Sequence, residues 1–105
     1  MTEESYPGWY SYIRDNHGDF MQALENLGEV VRRQGPLDEK TSHLIQLAAA
    51  AAIRSEGSVH SHARRAIKAG AKPEEVYHAI ILLTSTIGFP NTSAALSWVQ
   101  DVLRA

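Results

Sequence analysis

The sequence contains no cysteine. That excludes disulfides, thiolate catalysis and any redox cycle run on cysteine sulfur, and it suits reducing and oxidising compartments equally. Long apolar runs are missing too. The longest, Leu44 to Ile53, is about ten residues including Gln46, roughly half of what a membrane-spanning helix needs. Nor is there an excess of positive charge: ten Lys and Arg against twelve Asp and Glu give −2, with five histidines uncounted. A phosphate backbone would find little to hold it, so no nucleic-acid partner is expected. The opening MTEESYPGWY is acidic and has no apolar stretch, unlike a secretory signal. The expectation is a cytoplasmic protein with no membrane and no nucleic-acid partner. Aromatics are few, 8% of the chain, yet Tyr6, Trp9, Tyr10 and Tyr12 crowd around Pro7 and Gly8. They suit a short helix or irregular lead-in whose rings cover a core edge, a neighbouring subunit or part of a ligand pocket.

No stretch alternates apolar and polar residues as a half-buried strand would, and there is no repeat, low-complexity tract or linker. At 105 residues the chain predicts one all-α domain, residues 1–105, of five or six helices. Asp15 or Asn16 is placed to cap a helix starting near Asp19. Phe20, Ala23, Leu24, Leu27, Val30 and Val31 make its single stripe, ended by Gly35-Pro36. His17 reads as a solvated loop residue. Asp38 predicts the next N-cap, with Glu39 in the first turn. From Thr41 to Ile53 this helix is apolar nearly all round, and Ala48 to Ala52 let neighbouring backbones come close. It reads as central and buried on most sides.

Arg54 to Ser58 is a polar break. Val59, His62, Ala63, Ala66 and Ile67 form the next stripe, Arg64, Arg65 and Lys68 face outward, and Gly70 closes the helix. The basic face suits solvent or Glu74 and Glu75 of a neighbour. Pro73 opens a helix with Val76, Ile80, Leu83 and Ile87 on one side and Tyr77, Ile81 and Leu82 on others. After Gly88-Phe89-Pro90, Asn91 is placed to cap a last helix whose stripe is Ala95, Trp98, Val99, Val102 and Leu103. Two helices apolar on more than one side cannot both be covered in so small a domain. At ~25 cal/mol per Å², leaving them wet costs several kcal/mol, comparable with the stability of a domain. A homo-oligomer is therefore expected.

Three segments in order, LDEKTSHLIQLAAAAAIRS (37–55), HARRAIKAGAKPEEV (62–76) and GFPNTSAAL (88–96), resemble the carboxymuconolactone decarboxylase family of the alkylhydroperoxidase D-like superfamily. The likeness runs from Gly35 to Leu103, and GFPN before a small-residue helix is similar to the decarboxylase branch. It implies an alkylhydroperoxidase D-like helical bundle assembled as trimers or hexamers. Redox members carry C-x-x-C-x-x-x-H, with a glutamate twelve residues before the first cysteine. Aligned on that pattern, the histidine is His62, the cysteines are Ser58 and Ser55, and the glutamate is His43. Only the histidine matches. Serine cannot form a disulfide or climb the sulfur oxidation ladder, so the peroxiredoxin-type activity of the superfamily is not expected.

Ser55, Ser58 and His62 are spaced i, i+3, i+7, and on a helix beginning at Ser55 they share a face. Burial of His62 in its stripe favours the neutral imidazole. Beside hydroxyls and free helix N–H groups, it suits acid/base work on a small carboxylate or lactone, the substrate class implied by the decarboxylase branch. The candidate catalytic residues are His62, Ser58, Ser55 and His43, with no cofactor and no metal. Three other readings stay open. His62 is a hydrogen-bonded core histidine in a binding or scaffold oligomer that has lost the activity. Ser55 and His62 form a nucleophile pair, for which Glu56 is poorly placed as the third member. Or His43 and His62 hold a metal, completed by His60, His78 or Glu56. Spacing argues against the last, since His60 and His62 are two apart and diverge on a helix, and no H-x-x-x-H pair exists.

Overall fold

The computed structural model describes residues 8–104, which divide into two compact units at Pro36 and Leu37. Among the described residues every regular element is a helix. There are six helices longer than one turn and one single turn, in line with an all-α bundle. No helix among them is long and apolar enough to cross a membrane.

The first unit holds α1 (Gly8–Asn16) and α2 (Gly18–Arg32). The aromatic lead-in is helical from Gly8, with Trp9 and Tyr12 stacked at 5.3 Å one turn apart; Tyr6 and Pro7 lie outside the described residues. The Tyr10 hydroxyl donates to Glu25 Oε2 at 2.6 Å, joining the two helices. The expected caps Asp15 and Asn16 do not cap α2. Both lie within α1, and Asn16 turns its amide back to the Tyr12 carbonyl at 2.9 Å. His17 stands at the N-cap instead, exposed and without a side-chain cap bond. The α2 stripe forms as read, but Phe20, Leu24, Leu27, Val30 and Val31 are all exposed, and only Met21 is buried.

The second unit is α3 (Glu39–Ala52), α4 (Glu56–Lys68), α5 (Pro73–Ile81), the single turn α6 (Thr84–Ile87) and α7 (Phe89–Leu103). Its core is Leu47, Ala50 and Ala51 of α3, Val59, Ala63 and Ala66 of α4, Ala71, Val76 and Ile80, with Ala95 and Val99 of α7. The alanines bring backbones together, and the branched residues fill what remains. As its sequence suggests, α3 is covered on most sides within one chain, and beyond its first residue only a stripe through Ile45, Ala49 and Ala52 is exposed. Ile45 and Ile53 are exposed, as are Ile81 and Leu82 next to the buried face of α5. Helix α5 runs shorter than its periodicity implies. It stops at Ile81, where the Thr84 hydroxyl donates to the Ile81 carbonyl at 2.7 Å, and the chain resumes as α6.

Asp38 does cap α3, its carboxylate accepting from the Thr41 N–H at 2.8 Å. Glu75 reaches back to the Lys72 N–H at 2.9 Å, and the Lys40 ammonium lies 3.3 Å from its other oxygen, joining α3 to α5. So Glu75 is occupied within the chain by Lys40. The bond from Thr41 holds the Asp38 carboxyl below its usual value; the bond from Lys72, then Lys40, does the same for Glu75. Lowered carboxyl values stabilise the fold above the unfolded-state values, and that contribution is lost as pH falls through the folded ones. Stability should therefore drop below about pH 4. In chemical denaturation at stepped pH, Asp38→Ala and Glu75→Ala should each show a shallower acid limb; an unchanged limb in both would remove these carboxylates from its cause.

Candidate functional site

The site grows out of the corner between α3 and α4. After Ile53, Arg54 takes a left-handed conformation (φ 59°), unusual for a residue with a side chain. The Ser55 N–H then bonds the Ala50 carbonyl at 2.9 Å and the Arg54 N–H that of Ala51 at 3.1 Å, closing α3 in a Schellman turn. The same closure ends α4, where Gly70 holds φ 107°. At Arg54 the turn is held by the side chain. Its guanidinium donates to Asn91 Oδ1 and lies 6.0 Å over the Trp98 ring, both on α7. Asn91 is thereby corrected from its expected role. The last helix begins two residues earlier, at Phe89 after Gly88 (φ 87°), and Asn91 spans its first turn, donating to the Ile87 carbonyl at 2.8 Å.

Ser55 sits at the N-cap of α4 in extended geometry but makes no side-chain cap bond. Val59 is the first residue whose N–H bonds back, to the Ser55 carbonyl at 2.9 Å. The N–H groups of Glu56, Gly57 and Ser58 precede that bond and have no partner inside the helix. Ser55 and Ser58 are half-buried, and Ser58 lies one turn before His62 on the same face. Among the described residues no hydrogen bond joins either serine side chain to a histidine.

His43 and His62 are brought into direct contact across α3 and α4. Their Nδ1 atoms are 3.2 Å apart, and the rings meet at 5.5 Å and 36°. His43 is the deeper of the two, 2% exposed, while His62 is half-buried. On the far side of the His43 ring, Nε2 lies 3.8 Å from Glu39 Oε2, one turn earlier on α3. That carboxylate was read only as a dipole partner. The i,i+4 spacing of Glu39 and His43 was the signal for a second role. The other histidines go elsewhere. His60 faces Asp101 of α7 at 3.1 Å and His78 is exposed on α5. Among the described residues no third His, Asp or Glu completes a three-donor set with His43 and His62.

What this arrangement does chemically is set by the contact itself. Two Nδ1 atoms at hydrogen-bond distance need one donor and one acceptor, so the pair holds one shared proton. A hydrogen on His43 Nε2, favoured by the charge of the Glu39 carboxylate 3.8 Å away, would make His43 accept at Nδ1 and His62 donate from its own.

The comparisons with known proteins point one way. The family model described as "Carboxymuconolactone decarboxylase family" matches residues 18–101. The match begins at α2, well before the Gly35 from which the resemblance was read. The "Uncharacterized protein MJ1511" of Methanocaldococcus jannaschii is 27% identical over 90 residues, covering 86% of this chain and 84% of its own. Among solved structures, apo-lpg0406, a carboxymuconolactone decarboxylase family protein from Legionella pneumophila, superposes with a TM-score of 0.72 at 24% identity. The match covers 90% of this chain and 87% of that one, a likeness of fold.

Proposed function

The chain belongs to the carboxymuconolactone decarboxylase family, and from that premise we propose that it is a lyase acting on a small carboxylate or lactone by proton transfer. The observation that carries this reading is the 3.2 Å contact between His43 and His62. When a carboxylate leaves as CO₂, the carbon–carbon bond breaks and its electron pair stays on the substrate, spread onto a conjugated lactone carbonyl. One proton must then reach that carbon. His62 Nε2, having taken a proton from water, delivers it, while His43 and Glu39 hold the ring in the required tautomer. The hydroxyls of Ser55 and Ser58 and the first N–H groups of α4 hold the carboxylate beforehand. Thiol-based peroxide turnover is no part of this reading, because the sequence has no cysteine.

The working form is a homo-oligomer, trimer or hexamer, in the cytoplasm. Ile45, Ile53, Ile81 and Leu82, exposed in one chain, support an assembly. The competing reading is an oligomeric scaffold in which the histidine pair is only a packing contact. Two assays separate them. Carboxymuconolactone should release CO₂ with this protein above a buffer blank, and hydrogen peroxide with a thiol reductant should be consumed no faster than in the blank. No CO₂ release, together with no change in the histidine NMR signals on adding the lactone, would favour the scaffold. Clear peroxide turnover would overturn the exclusion of redox chemistry.

A further inference from the structure

A second group of donors stands apart from the histidine pair and needs no part of the proposed reaction. We infer that Glu56, His60 and Asp101 bind one borderline divalent cation of the first transition row, zinc being the natural probe, and that the ion ties α4 to α7. Glu56 and His60 are four residues apart on α4 and so share a face. Asp101 comes from the last turns of α7, which packs on α4. The His60 Nε2 is 3.1 Å from Asp101 Oδ2 and 4.0 Å from Glu56 Oε2, and all three donors lie within 4.8 Å of one another. Among the described residues no other three His, Asp or Glu donors converge in this way.

The spacing is what a small cation needs. With bonds of about 2.0–2.2 Å, donors on adjacent corners of a tetrahedron or octahedron stand roughly 3–3.5 Å apart. His60 and Asp101 already do, and Glu56 must close by about 0.5–1 Å on His60 and by at most about 1.8 Å on Asp101. The ring is the fixed member, since the His60 side chain is only 20% exposed. The carboxylates, at 57% and 59%, have room to adjust. One imidazole nitrogen and two carboxylates, without sulfur, suit zinc, cobalt, manganese or iron(II) rather than copper(I). Two negative groups balance the double charge of the ion, and the open rim leaves its other positions to water. To ligate, His60 moves its hydrogen to Nδ1 and gives up its bond to Asp101. Being two residues from His62, it points off a different flank of α4, so the ion and the His43–His62 contact do not share donors.

The test is titration of the full chain, stripped with a chelator, with zinc chloride in a calorimeter and with cobalt(II) followed by its visible absorption. One ion per chain is expected, with a raised thermal midpoint. His60→Ala and Asp101→Asn should each weaken binding on the order of 100-fold, because even the loss of outer-shell partners reaches that size. His78→Ala, which removes an exposed histidine elsewhere, should bind as the parent does. Absence of saturable binding in the parent would overturn the inference. So would full binding by His60→Ala, equal loss in His78→Ala, or loss confined to His43→Ala and His62→Ala, which would place the ion on the histidine pair.

Discussion

Replacing His62 with glutamine should lower the turnover of carboxymuconolactone by about 10²–10⁴-fold, the range a positioned general acid or base contributes. Glutamine keeps the length and some hydrogen-bonding capacity but cannot carry a transferable proton. His43→Gln should act through His62. It keeps an amide against the neighbouring ring but removes the Glu39-directed tautomer, so a smaller fall in kcat with little change in KM is expected. The proof of roles is the pair of variants together. If His43 serves only to orient His62, adding His43→Gln to His62→Gln costs almost nothing further. Unchanged turnover in His62→Gln, with circular dichroism like that of the parent, would take His62 out of the reaction. The measurement is steady-state CO₂ release by all three variants.

The second large effect concerns the fold. Leu47→Ala should destabilise the protein by about 2–5 kcal/mol, in the upper part of that range. Leu47 is 0% exposed, and it belongs to a core in which six of the eleven buried members are alanine. Such neighbours have no side chain to swing into the space vacated, so the cavity stays open and its contacts are lost outright. Against a total domain stability of about 5–15 kcal/mol, that is a large share. Leu47→Met conserves volume and should cost less than about 1.5 kcal/mol. Urea unfolding of the two variants reads the difference, and equal midpoints would show that the alanine-rich core relaxes after all.

These expectations differ in how early they could be formed. Leu47 was legible in the sequence as part of an apolar run, and Asp38 as a cap, because both depend on spacing within a few residues. His62 could be placed on the stripe of its helix for the same reason, and its divergence from His60 follows from their being two residues apart. The pairing of His62 with His43 came from the family resemblance and not from spacing, while that of His60 with Asp101 was not legible at all, because it depends on how α4 packs against α7, which no local pattern records. Burial was legible for most of α3, but not which stripe would stay open: Ile45, Ala49 and Ala52 are exposed, and Ile53 just beyond them. The caps failed where two signals competed. Asn16 had a carbonyl within its own helix to bind, and Asn91 lay two residues inside a helix that Gly88 and Pro90 could already start.

The left-handed Arg54 has a mechanical consequence. Its backbone conformation costs about 1–2 kcal/mol relative to an ordinary one, offset by contacts that only α7 offers, to Asn91 and Trp98. The corner joining the two histidine helices is thus kept in register in part by a helix that contributes no atom to their meeting. The direct packing of α3 on α4 carries most of that register, and the grip of Arg54 on α7 adds a brace from the outside, so the final helix reaches the chemistry only through the bend it secures.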